Sequence, residues 1–163
     1  MATAYIQNDS WIHKNESQSR SENLVALTYK FDTNTAHAIG AVIPLGNLPF
    51  GSTVLDVKMM VTGANAGSTT GTIGVAPSSS LSSTTWTTGT GGDDDGIATS
   101  ITIGTSTGTK TCAHGVLMGR PLTNTIMSGT DDDGEPLTVY LVTAGATYAT
   151  TFEAYITLLV RMA

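Results

Sequence analysis

Residues 152–161 read FEAYITLLVR. Phe152, Ala154, Ile156, Leu158 and Val160 alternate with Glu153, Tyr155, Thr157 and Arg161. Successive side chains of an extended chain point to opposite faces, so this period of two predicts a strand with one buried face and Ile156 at its centre. The same signature recurs upstream. Leu137, Val139 and Leu141 form one such set, and Leu55, Val57, Met59 and Val61 form another against Asp56, Lys58 and Met60. Val25, Leu27, Tyr29 and Phe31 alternate with Ala26, Thr28 and Lys30.

Shorter strands are expected at Ile39–Ile43, where Pro44 ends the ladder, at Gly71–Val75, around Ile101 and Ile103, and in GVLMG from Gly115. The segment LGNLPFGS carries Gly, Asn and Pro in the pattern of a tight connection. Pro77 to Gly92 reads as a long Ser/Thr/Gly loop pinned by Leu81 and Trp86. No segment sustains a capped helical stripe. About eight short strands joined by glycine-rich turns predict an all-β fold, a single β-sandwich of the jelly-roll or immunoglobulin-like kind over residues 24–163.

Residues 1–23 differ in kind, being polar and mixed in charge, with Tyr5, Ile6, Trp11 and Ile12 as the large apolar side chains. They read as an extended N-terminal arm, with Tyr5 and Trp11 as candidate contacts to a partner. At 163 residues the chain has the size of one domain that can bury a core without disulfides or metal staples. Cys112 is the one cysteine, which excludes an intrachain disulfide. The seven Lys and Arg residues are scattered singly and the formal net charge is -6, so neither nucleic acid nor an anionic membrane is expected as a partner. The first residues carry no apolar stretch of the signal-peptide kind, which predicts a protein made and folded in a cytoplasm.

Six of the thirteen acidic residues fall in two copies of one tripeptide, GTGGDDDG at 89–96 and MSGTDDDG at 127–134. In each, a glycine follows the aspartates and an alternating strand begins three residues later. The expected role is a turn feeding a strand, since Asp bonds its own backbone two residues on and Gly supplies positive φ. Calcium is the alternative. Adjacent aspartates of an extended chain point apart, so the candidates for one ion are Asp93 with Asp95 and Asp131 with Asp133, without the alternate spacing and closing Glu of an EF-hand loop.

A hydrolase needs a nucleophile beside a base. His13 lies in the arm, His37 in a strand, and Cys112 and His114 two residues apart on one side of an extended chain. Two ligands make no zinc site. GANAGSTTG and GTSTGTKT lack the Gly-Lys-Ser/Thr ending of a phosphate loop, and aromatics are only 6% of the chain, too few for the usual carbohydrate cleft. No enzyme, catalytic residue, cofactor or metal is expected.

Residues 40–163 do resemble a known group. IPLGNLPFGSTVLDVKMMVTGANAGSTTGTIGVA, with Leu48, Pro49, Gly51, Val54, Asp56 and Val57 and then Asn65, Ala66 and Gly67, is similar to a stretch of small β-rich virion proteins of tailed bacteriophages. DDDGIATSITIGTSTG and the closing run from Thr143-Ala144-Gly145 are similar in kind. The resemblance implies a virion structural protein, foremost a head decoration (cement) protein binding the outer surface of the major capsid protein lattice, as a homotrimer, located on the capsid surface after synthesis in the host cytoplasm. A tail or connector component is the nearest alternative. A carbohydrate-binding, adhesin-like sandwich is the other, and it calls for Trp86 and Tyr148 on one exposed face.

Overall fold

The carboxyl-terminal alternation becomes the centre of a sheet in the computed structural model, which describes residues 5–7, 24–32, 36–65, 67–78, 92–123 and 136–163. Ten strands appear among them: β1 (Tyr5–Gln7), β2 (Leu24–Asp32), β3 (Val42–Leu48), β4 (Thr53–Gly63), β5 (Thr70–Pro77), β6 (Asp93–Thr102), β7 (Gly108–Lys110), β8 (Cys112–His114), β9 (Leu137–Ala144) and β10 (Glu153–Arg161). Ile156 of β10 stands opposite Tyr29 on one side and Met59 on the other. Trp11, His13, Leu81, Trp86, Asp131 and Asp133 lie outside the described residues.

Every strand pair is antiparallel, and the strands form two five-stranded sheets, β1-β2-β10-β4-β7 and β3-β9-β5-β6-β8. Set aside β1 and β8, and the remaining eight interleave as first, eighth, third, sixth in one sheet and second, seventh, fourth, fifth in the other. That is a jelly roll, two Greek keys rolled together. It decides against the immunoglobulin arrangement, whose sheets group the strands as ABED and CFG. Consecutive strands mostly change sheet, so the core is stitched by long-range pairs.

Facing side chains fill the space between the sheets. Phe31, Val57, Met59, Ile156 and Leu158 from one side meet Ile73, Val75, Ile101, Val139 and Leu141 from the other, all in one buried cluster. Ile156 itself is fully buried, as its position in the alternation requires.

Four local expectations are corrected. The strand expected to stop at Pro44 runs on to Leu48, and Ile39, expected on its inner face, is exposed beside a turn at Gly40. Proline is tolerated because β3 is an edge strand, and the register slips between Pro44 and Gly46, where the ladder needs no donor. In β4 the inward residue is Val54, not Leu55, because a bulge opposite Leu159/Val160 inserts one residue and turns Leu55 outward. Gly115–Gly119 is a turn: Met118 N–H donates to the Gly115 carbonyl and Arg120 N–H to that of Leu117, leaving Leu117 buried and Val116 exposed. The strands of that region are instead β7 and β8, three residues each, with no apolar alternation to announce them.

Candidate functional site

The first aspartate triplet is not a turn before a strand. It opens β6, inside a wide bulge: the pairings Ile73↔Ala98 and Val75↔Asp93 set five residue steps of β6 against two of β5. The surplus folds over the outer face of the second sheet. There the Tyr140 hydroxyl donates to Asp94 Oδ1 at 2.9 Å, and the Thr72 hydroxyl donates to the Asp94 carbonyl at 2.8 Å. Gly74 lies beneath, where a Cβ would come within 2.5 Å of the Asp93 carbonyl oxygen and 2.6 Å of the Tyr140 ring. Gly96, expected to supply a positive φ, is absent from the positive-φ glycines. It is glycine for space, since a Cβ would meet Leu117 Cδ1 at 2.5 Å.

The Asp95 N–H donates to Asp93 Oδ1 at 3.3 Å, so the two calcium candidates of this copy are neighbours in one loop. Burial, and then the side chain of Asp95, raises the Asp93 carboxyl above the ordinary carboxylate range. Burial and the Asp94 acceptor likewise raise the Tyr140 phenol. Among the described residues no group of three or more His, Cys, Asp or Glu side chains is placed to hold a metal ion. The aspartate with a clear task is Asp94, which satisfies a buried tyrosine hydroxyl.

Cys112 and His114 share β8 but turn to different partners. The thiol points to the Lys110 carbonyl at 3.9 Å, and burial, with Asp56 adding to it, pushes its pKa up to about 11. A thiol so held is not the thiolate that a nucleophile requires. His114 Nε2 instead approaches Asp56 Oδ1 at 3.5 Å, and Lys58 Nζ lies 3.8 Å from Asp56 Oδ2. The His114–Asp56 contact is a surface link between β8 of the second sheet and β4 of the first.

His37 is tied to the core by its backbone, exchanging hydrogen bonds with Tyr148 at 3.1 and 2.9 Å. Its ring lies 6.1 Å from that of Phe31, and burial lowers its pKa. Tyr148 is fully buried, edge-on to Phe152, with its hydroxyl donating to the Thr70 carbonyl at 2.8 Å. It therefore cannot serve on an exposed sugar-binding face.

What alternation on the inner face leaves unread is the outer face of the first sheet. Leu159 there stands beside Ala26 of β2 and Asp56 of β4, and Arg161 beside Leu24. Leu24 is 50% exposed, Leu159 38% and the bulged Leu55 37%, so three leucines from three adjacent strands share one end of this face. The Thr28–Thr157 hydroxyl pair, 3.0 Å apart, separates them from a second zone in which Tyr155 lies between Lys30 and Met60. The readable signal was the doublet Leu158-Leu159. In a strand with Leu158 buried, Leu159 has to face out.

At the seam where β7 of the first sheet passes to β8 of the second, β6, β7 and β8 border an open groove of about 510 Å³ lined by Ser100, Thr102, Thr109, Lys110, Thr111 and Ala113. Its lining is hydroxyls and one ammonium, which donates to Ser106 Oγ at 2.9 Å. Tyr5 stands opposite Lys30 in β1, at the far edge of the sheet that carries the leucines.

No family model, curated protein or solved structure matches the chain.

Proposed function

We propose that the protein is a non-enzymatic structural component of a bacteriophage virion, a decoration protein that binds the outer surface of the major capsid lattice as a homotrimer. The observation that carries this reading is the outer face of the first sheet, where Leu24, Leu159 and Leu55 lie exposed on three adjacent strands at one end of a surface otherwise rich in hydroxyls and charge. Contiguous exposed apolar side chains with a polar rim mark association surfaces. The charged rim, with Lys58, Asp56 and Arg161 around the leucines, gives such a surface its register.

Two further points support the reading. The jelly roll is an architecture common to viral capsid and lectin domains, which is an argument from fold analogy alone. The resemblance of residues 40–163 to phage virion proteins, noted from their sequence, points the same way. A lattice also relaxes the affinity required per copy, because many copies act together and a formal charge of -6 keeps decorated particles apart.

Co-sedimentation with particles lacking the protein tests the proposal. Saturable binding at a fixed copy number per capsid supports it; binding only to tails or connectors moves the protein elsewhere in the virion. The hydroxyl-lined groove favours one second reading, binding of a saccharide. Failure to bind capsids together with retention on a glycan array would establish that reading in place of the first.

A further inference from the structure

Several hydroxyls of this roll are tied to the protein itself. Thr28 bonds to Thr157 at 3.0 Å, Ser78 to Thr138 at 2.9 Å, and Thr72 to the Asp94 carbonyl at 2.8 Å. The groove bordered by β6, β7 and β8 differs. Its Ser100, Thr102 and Thr111 are exposed, and among the described residues their hydroxyls have no protein partner. The Thr109 hydroxyl finds only the Met60 sulfur, a weak acceptor, at 4.0 Å. Ser100 stands opposite Ala113, and these two small side chains leave open the space between β6 and the crossing from β7 to β8. A volume of about 510 Å³ lies within the range of small-ligand sites. Its hydroxyls can donate and accept alike, which suits a ligand that is itself rich in hydroxyls.

The charge of the groove narrows that ligand. Lys30 lies 3.2 Å from Glu153 and Lys58 3.8 Å from Asp56, whereas Lys110 has no carboxylate partner among the described residues. A bond to Ser106 Oγ, four residues back across the turn, steadies its ammonium at 2.9 Å. No Asp or Glu lines the groove, although the chain has thirteen. No aromatic ring lines it either, so polar contacts carry the binding and a charge-assisted hydrogen bond is the strongest on offer. One ammonium balances one negative charge. A polymer charged on every unit would bring further anions against a chain of net charge -6.

We propose that this groove binds a carboxylated saccharide, with the sugar hydroxyls on Ser100, Thr102 and Thr111 and the single carboxylate on Lys110. The inference rests on the saccharide reading of the groove and adds the charge of the sugar. It does not depend on what the outer face of the first sheet binds.

The test titrates the full-length protein with a glucuronate-containing disaccharide, its neutral glucose counterpart and inorganic phosphate, following amide NMR shifts over residues 98–114. The expected result is a response at Ser100, Thr102 and Thr111 to both sugars, with the glucuronate disaccharide bound at least about fivefold more tightly and phosphate more weakly than either. Lys110→Gln should bring the two sugars to one affinity while the neutral one binds as before. Lys58→Gln, which removes an ammonium outside the groove, should leave the preference intact. Equal affinity for the two sugars in the wild type overturns the proposal and leaves the saccharide reading standing; response to neither overturns both. Phosphate bound as tightly as the glucuronate disaccharide makes the groove a plain anion site and also overturns it. So does a preference that survives Lys110→Gln or is lost equally in Lys58→Gln.

Discussion

The two seams at which the sheets of the roll meet are closed by different means. At one, β7 of the first sheet and β8 of the second are separated by Thr111 alone, so the chain itself crosses the gap. Leu117 then packs over Gly96, its N–H bonded to the Gly96 carbonyl at 2.9 Å. At the other, β1 meets the edge strand β3 with no short covalent link, beneath it the Tyr29 hydroxyl donating to the Asn47 carbonyl at 3.3 Å. Pro44 and a register slip blunt β3, as edge strands require. The first seam is local in sequence and tightly packed; the second is held by a three-residue ladder on a long tether. The association proposed above would draw on the second seam and the outer face beside it, where among the described residues Leu24–Leu27 have no strand partner on the β1 side and Leu24 is exposed.

Both seams depend on β10, which is central to the first sheet. Ile156→Ala should cost about 2 to 5 kcal/mol, read as a fall in the denaturation midpoint, because it empties a fully buried site. Ile156→Asp should abolish soluble expression. A small effect of the alanine variant would mean that the two seams do not share one core, and the comparison would lose its footing.

The closed seam comes next. Gly96→Ala places a methyl within 2.5 Å of Leu117 Cδ1 and 2.9 Å of the Asp93 carboxyl carbon, and overpacking of this kind should cost about 1 to 3 kcal/mol. At the open seam Ile6→Pro puts a proline at the middle of a three-residue ladder and should cost less than about 1 kcal/mol in the monomer. Thermal melts of the two variants side by side sharpen the comparison. If Ile6→Pro proves the more damaging, the seams have been ranked the wrong way round.

The smallest effect is expected at the bulge. Folding raises the Asp93 pKa above its unfolded value of 3.8, through burial first and Asp95 second. A carboxyl shifted upward contributes stability below the unfolded pKa and loses that contribution as pH rises through the folded value. Asp93→Asn should therefore raise Tm at pH 7 slightly, by about 1 to 2 °C after solvent screening, with the gain gone below about pH 3.5. His37 has the opposite sign. Its pKa is lowered by burial, so stability should fall as pH drops below 6.5 and through the folded value, and His37→Gln should flatten that slope.

The sequence announced the strands that alternate and concealed those that do not. β2, β9 and β10 were legible because one face of each is buried along its length, and the alternation at Phe31, Val139 and Ile156 carries that directly. β7 and β8 were not: Gly108, Thr109 and Cys112 sit at edges where neither face is fully covered, so no hydrophobic period forms. Bulges escape for a related reason. One inserted residue near Leu55 reverses which neighbour points inward, and nothing in LDV distinguishes a bulge from a straight strand. DDDG suggested a turn because Asp and Gly have turn chemistry, but the bond from Tyr140 to Asp94 spans 46 residues and a local pattern cannot show it. The exposed leucines were legible in principle, since LL at 158–159 cannot bury both.

The account stands or falls on whether the leucine-bearing face is the surface that binds. Purified wild type, Leu24→Glu/Leu159→Glu and Ser100→Glu/Thr102→Glu should be sedimented with capsids lacking the protein, the last pair changing only the part of the groove that β6 of the second sheet supplies. The account predicts saturable binding at a fixed copy number for the wild type and the groove variant, and loss of binding for the face variant. Equal binding by all three, or loss confined to the groove variant, would contradict it.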